Sequence, residues 1–85
     1  MIFEVLLSEE SERFLKKCDN PVRDMIISRL DKLADNPKLG KSLTANLAGL
    51  YSLRISDYRA IYSIKNNELK ILIIKIGHRK NIYEG

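Results

Sequence analysis

Cysteine, histidine and long apolar runs are nearly missing from this chain, and its second half is short of acids. Cys18 is the only cysteine among 85 residues, so no internal disulfide can form. With His78 as the only histidine beside that one cysteine, a dedicated zinc site is not expected, nor is any other metal or cofactor. Cys18 falls beside Phe14 and Leu15 and reads as a packing residue. The longest apolar stretch, Ile71 to Ile74, is far below the roughly 20 residues needed to cross a bilayer. The opening residues Met1 to Leu7 lack a basic start and a small-residue cleavage site, so no secretory signal is read and a cytoplasmic location is expected. No repeat or low-complexity segment is visible, and 45% apolar residues is ordinary for a globular protein. A chain this short is expected to form one domain, residues 1–85, burying only about 60–65% of its unfolded surface.

Acids are scarce where bases are not. Residues 1–42 carry eight Lys/Arg and eight Asp/Glu, whereas residues 43–85 carry seven Lys/Arg against Asp57, Glu68 and Glu84. The whole net charge of +4 therefore sits in the second half. Such asymmetry points to an anionic partner without naming it.

Residues Ile2 to Leu7 read as a strand interrupted only by Glu4. Ser8 is placed to cap a helix whose first turn holds Glu9, Glu10 and Glu12. Asp19-Asn20-Pro21 starts a second helix, which buries Val22, Met25, Ile26, Leu30, Leu33 and Ala34 at helical spacing and stops at Asn36-Pro37. Residues 38–49 read as a polar loop, with Leu43 and Leu47 dipping inward. After Gly49 the period becomes two: Tyr51, Leu53 and Ile55 alternate with Ser52, Arg54 and Ser56. Ser56-Asp57 turns into a strand over Tyr58 to Lys65, and Asn66-Asn67-Glu68 into a third over Leu69 to Gly77. The predicted fold is a small α+β domain. It has an N-terminal strand, two helices on one face of a twisted antiparallel sheet, then a three-stranded meander.

Arg54 and Arg59 are predicted to face each other across the hairpin, with His78, Arg79 and Tyr83 where the last strand runs out. Arginines alternating out of a strand are often a solvated face. Three guanidiniums on neighbouring strands without matching acids repel one another, which is easier to understand if an anion binds there. Their planar forks match phosphate oxygens. His78 is suited to proton transfer near neutral pH, or merely hydrogen-bonds at a strand end. Tyr83 offers a ring to stack on a base and a phenol to pass a proton. Lys75 and Lys80 are read as phosphate steerers. Tyr51, Tyr58 and Tyr62 have core spacing.

The run Gly49-Leu50-Tyr51-Ser52-Leu53-Arg54, then Tyr58-Arg59-Ala60-Ile61-Tyr62, then Ile76-Gly77-His78-Arg79-Lys80 with Tyr83, resembles the RelE/ParE toxin superfamily, nearer its RelE branch. The resemblance covers nearly the whole chain. It implies the toxin of a type II toxin–antitoxin pair, a metal-independent endoribonuclease cutting mRNA in the ribosomal A site through attack by the substrate's 2′-hydroxyl. It further implies phosphate-holding roles for Arg59 and Arg79 and an active-site role for Tyr83. Arg54 and Ser52 stand where the best-known bacterial member has lysines. An arginine cannot serve as a proton acceptor, which leaves His78 as the leading candidate base. Ser52, Lys75 and Lys80 are expected to contact RNA. The implied partners are the ribosome with its mRNA and a RelB-like antitoxin, in a tight complex of heterotetrameric or higher order, with no membrane involved. Two rivals remain: a ParE-like inhibitor of DNA gyrase, and a basic RNA-binding module without chemistry.

Overall fold

In the computed structural model, residues 2–82 are described; Tyr83 lies outside them. Strand β1 (Glu4–Leu7) leads into helix α1 (Glu9–Lys17) and helix α2 (Asn20–Asp31), which tightens into a 3₁₀ turn over Lys32–Ala34. Then come β2 (Lys41–Ser42), β3 (Tyr51–Ile55), β4 (Tyr58–Lys65) and β5 (Lys70–His78). These form one sheet in the order β1-β5-β4-β3-β2. The expected antiparallel meander of β3, β4 and β5 is present. The sheet as a whole is mixed, because β1 runs parallel to β5. A parallel pair needs a crossover, and here the helices on one face belong to it.

Each helix starts where local chemistry directs it. The Ser8 side chain accepts the Ser11 N–H, and three acids in the first turn and two lysines in the last complement the α1 dipole. Asp19 occupies the cap position of α2, but its side chain makes no capping bond; the proline in the first turn does the directing there. Leu15, Ile26, Leu30 and Leu33 pack against Leu53, Ile55, Ala60, Tyr62, Ile71, Ile73 and Ile76 to form the core.

A β-bulge decides which β5 side chains reach that core. Opposite β4, the register runs Tyr58↔His78, Ala60↔Ile76 and Ile61↔Lys75, then jumps to Tyr62↔Ile73, leaving Ile74 as the extra residue. Ser8 and Ser11 hold this irregularity. The Ser8 N–H donates to the Ile73 carbonyl at 3.0 Å, its hydroxyl to the Ile74 carbonyl at 2.7 Å, and the Ser11 hydroxyl to Ile73 at 3.0 Å. Strict alternation would have put Lys75 on the same face as Ile71 and Ile73. The extra residue lets Ile71, Ile73 and Ile76 all face the helices and sends Lys75 to the opposite side. Ser8→Ala removes the cap and the hydroxyl bond to Ile74, one of the three that hold the bulge, so it should cost about 0.5–2 kcal/mol, read by thermal denaturation. An unchanged melting temperature would show that the serine does not hold the bulge.

The segment read as a plain loop contains β2, which pairs with β3 through Lys41↔Ser52 and Ser42↔Tyr51. Tyr62 explains this. Its buried ring ends in a hydroxyl that accepts the Gly40 N–H at 2.9 Å and donates to the Pro37 carbonyl at 2.7 Å. One tyrosine thus brackets the segment against the sheet edge. Burial pushes the Tyr62 phenol above its ordinary value of 10.0, with the Gly40 N–H opposing. The neutral, donating form therefore prevails at neutral pH, and its contribution fades only in alkali.

Candidate functional site

Strand register brings the basic side chains to the face away from the helices. Arg54 and Arg59 are direct cross-strand partners, as the hairpin spacing predicted, and the next position across is Gly77. The neighbouring row on that face runs Lys41, Ser52, Ile61, Lys75 across β2 to β5. The Arg79 N–H donates to the Asp57 carbonyl at 2.9 Å, extending the β4–β5 ladder by one residue and keeping Arg79 in step with Arg59 and Gly77. Beyond it the chain turns: the N–H groups of Asn81 and Ile82 both donate to the His78 carbonyl. Ile82 is buried over Gly77, where even a Cβ would approach its Cδ1 to 3.1 Å. Glycine at position 77 makes room for that return of the chain.

Two expected site residues sit differently. Ser52 was expected to contact RNA from the surface, but it is only 2% exposed, and its hydroxyl accepts from Arg59 Nη1 at 3.3 Å. It helps hold a guanidinium from the floor of the site. His78 pairs with Tyr58, whose side chain belongs to the helix face, and the two rings meet edge to face at 5.9 Å. Tyr58 in turn meets Phe14 of α1 at 6.0 Å. The His78 Nδ1 accepts the Lys80 N–H at 3.3 Å. The imidazole is thus on the side of the sheet opposite Arg59, because Gly77 and His78 are consecutive in an extended strand. Lys80 is exposed in the turn after β5. Cys18 caps α1, donates to the Phe14 carbonyl at 3.3 Å, and has its thiol pushed up by burial.

Sequence reasoning missed Lys41 and Arg29, both in the charge-balanced first half. Lys41 joins the Arg59 face only through the β2–β3 pairing. Two open clefts, of about 300 and 280 Å³, share Lys41, Ser52 and Arg59; the second also takes in Arg54 and Arg29 of α2. Neither is lined by an acid. Among the described residues the one salt bridge is Lys70–Glu68, at a distant turn, and no three metal-ligating side chains cluster. The arrangement offers donors and positive charge to an extended anion.

The helix-covered mixed sheet is the fold of a class of small toxins, the RelE/ParE superfamily. The chain belongs to the ParE toxin family of type II toxin–antitoxin systems, whose family model matches residues 5–83. Toxin RelE of Mycobacterium tuberculosis is 42% identical over 52 residues, 60% of this chain and 54% of that protein. Toxin RelG of the same organism is 37% identical over 46 residues, 54% of this chain and 53% of that protein. The matched stretches span about half the length of these curated relatives. In three dimensions, the RelBE2 toxin–antitoxin complex from M. tuberculosis contains a chain that superposes with a TM-score of 0.86 at 25% identity, covering 95% of both chains. Among the described residues, no helix is long and apolar enough to cross a membrane.

Proposed function

We propose that this chain is a ribosome-dependent, metal-independent endoribonuclease, held in check by a RelB-like antitoxin. The observation that carries the reading is the Arg54–Arg59 pair. Like charges set directly opposite each other cost stability, and Lys41 adds to the cost, with no acid lining either cleft. A phosphate between them turns that repulsion into binding.

The proposed reaction begins with the 2′-hydroxyl of the substrate attacking the adjacent phosphorus, which expels the 5′-oxygen and leaves a 2′,3′-cyclic phosphate. Arg59, steadied by Ser52, neutralises the charge that grows on the phosphate oxygens, with Arg54 and Arg79 at its sides. The requirement for a 2′-hydroxyl excludes DNA as a substrate. Proton transfer falls to Tyr83 or to solvent, since His78 lies across the sheet. Alignment comes from the ribosome, which presents the codon in a fixed geometry. Lys75 and Lys80 steer the strand.

Primer extension on translated mRNA, with and without induction of this chain, tests the reading. Induction should stop growth and produce discrete breaks within codons of translated messages. Co-expression of a RelB-like antitoxin, if one is encoded beside this chain, should restore growth and give a co-purifying complex. Intact mRNA together with blocked gyrase supercoiling would instead assign the chain to the rival reading, a gyrase-directed toxin. A harmless chain with no acidic partner would defeat both readings.

A further inference from the structure

The helix-side arginine Arg29 is not part of the hairpin cluster, yet it lines the same cleft as Lys41, Arg54 and Arg59. We propose that this cleft, at the edge of β3, is a second phosphate subsite. It would bind the single-stranded RNA backbone flanking the cleaved nucleotide, with Arg29 and Lys41 as its grips. The inference rests on the nuclease reading and extends it to Arg29, which that reading does not use, and to Lys41 as a grip on the flanking backbone.

Three observations carry it. First, β2 is only two residues long, so its pairing with β3 stops at Ser52, and the cleft beyond it is bordered by Arg54 of β3 and Arg29 of α2. Second, the cations lie on successive elements, Arg29 on α2, Lys41 on β2, Arg54 on β3 and Arg59 on β4, which makes a track and not a point. A phosphodiester backbone repeats its charge in the same way. Third, Lys41 is held in place. Gly40 beside it is bonded to the Tyr62 hydroxyl, and Lys41 itself pairs with Ser52, whose hydroxyl receives Arg59. The same serine therefore links the cleavage cleft to the flanking one.

An acidic protein segment is the other class of anion that could lie here. RNA is favoured because the two clefts are continuous through Lys41, Ser52 and Arg59, and a strand cut at Arg59 must leave the site in some direction.

Single-turnover cleavage on programmed ribosomes at several salt concentrations tests this, alongside fluorescence anisotropy with a short oligouridine that needs no cleavage. Arg29→Ala and Lys41→Ala should each raise the half-saturating concentration about five- to ten-fold, with little change in the saturating rate. Each should also flatten the logarithmic salt dependence of RNA affinity by about 0.7. Lys41→Arg should restore both, and Lys65→Ala, at the far turn, should change neither. If the wild-type chain does not cleave but the two variants lose oligouridine affinity, the nuclease reading falls and the subsite stands. If both variants keep wild-type RNA affinity and salt dependence, the subsite is overturned. The same holds if they weaken only the complex with the acidic partner.

Discussion

Arg59→Ala is expected to lower single-turnover mRNA cleavage about 10²–10³-fold, the usual cost of one well-placed donor to developing negative charge. The melting temperature should stay level or rise. Both halves follow from one geometry. Arg59 stands directly opposite Arg54, and like charges in that position destabilise a strand pair by about 0.2–1 kcal/mol. Alanine relieves the repulsion, while the core beneath is untouched because Arg59 points away from Leu53, Ala60 and Ile76. Opposite movements of activity and stability distinguish a functional arginine from a structural one. His78→Gln should be far milder, since the imidazole faces Tyr58 on the other side of the sheet. A cleavage loss on His78→Gln comparable to that of Arg59→Ala would return the base to His78. An Arg59→Ala protein that cleaves normally would remove the arginine from the reaction.

The hairpin was legible because its information is local. Alternation through Tyr51 to Ile55, a two-residue turn and alternation again suffice to set Arg54 against Arg59. The helices were legible for the same reason, since Ser8 and Pro21 act within one turn of themselves. What escaped was everything fixed at long range. The bulge at Ile74 depends on hydroxyls 66 and 62 positions away in sequence, so alternation alone could not assign Lys75 or His78 to a face. Ser52 looked like a surface residue by period. It is buried because Lys41 of β2 pairs across it and Arg59 lies on its hydroxyl. Lys41 and Arg29 were hidden by counting charge along the chain, which cannot show that an edge strand folds half of a balanced segment onto a basic face. A lysine just after a glycine in a loop of otherwise weak signal was the only trace.

That glycine gives the second large effect. Gly40 has extended backbone (φ −79°, ψ 173°), which alanine adopts readily, so any cost of Gly40→Ala comes from space. A Cβ there would lie 2.6 Å from the Tyr62 hydroxyl and 2.8 Å from the Ser52 carbonyl. Neither can give way cheaply: the carbonyl belongs to β3, and the tyrosine ring is wholly buried. The variant must break the hydroxyl bracket and lift β2 from the sheet edge, at about 1–3 kcal/mol. A chain of 85 residues has only about 4–13 kcal/mol to lose. The melting temperature should fall by about 4–8 °C for each kcal/mol. Lys41 leaves with β2, so cleavage by the folded fraction should need more toxin to saturate. Tyr62→Phe provides the cross-check. Alone it forfeits two hydrogen bonds. Combined with Gly40→Ala it removes the atom in closest conflict, so the double variant should lose less stability than the two singles together. Strictly additive losses would mean that the glycine is needed for some contact other than the tyrosine, and the bracket account of β2 would have to be abandoned.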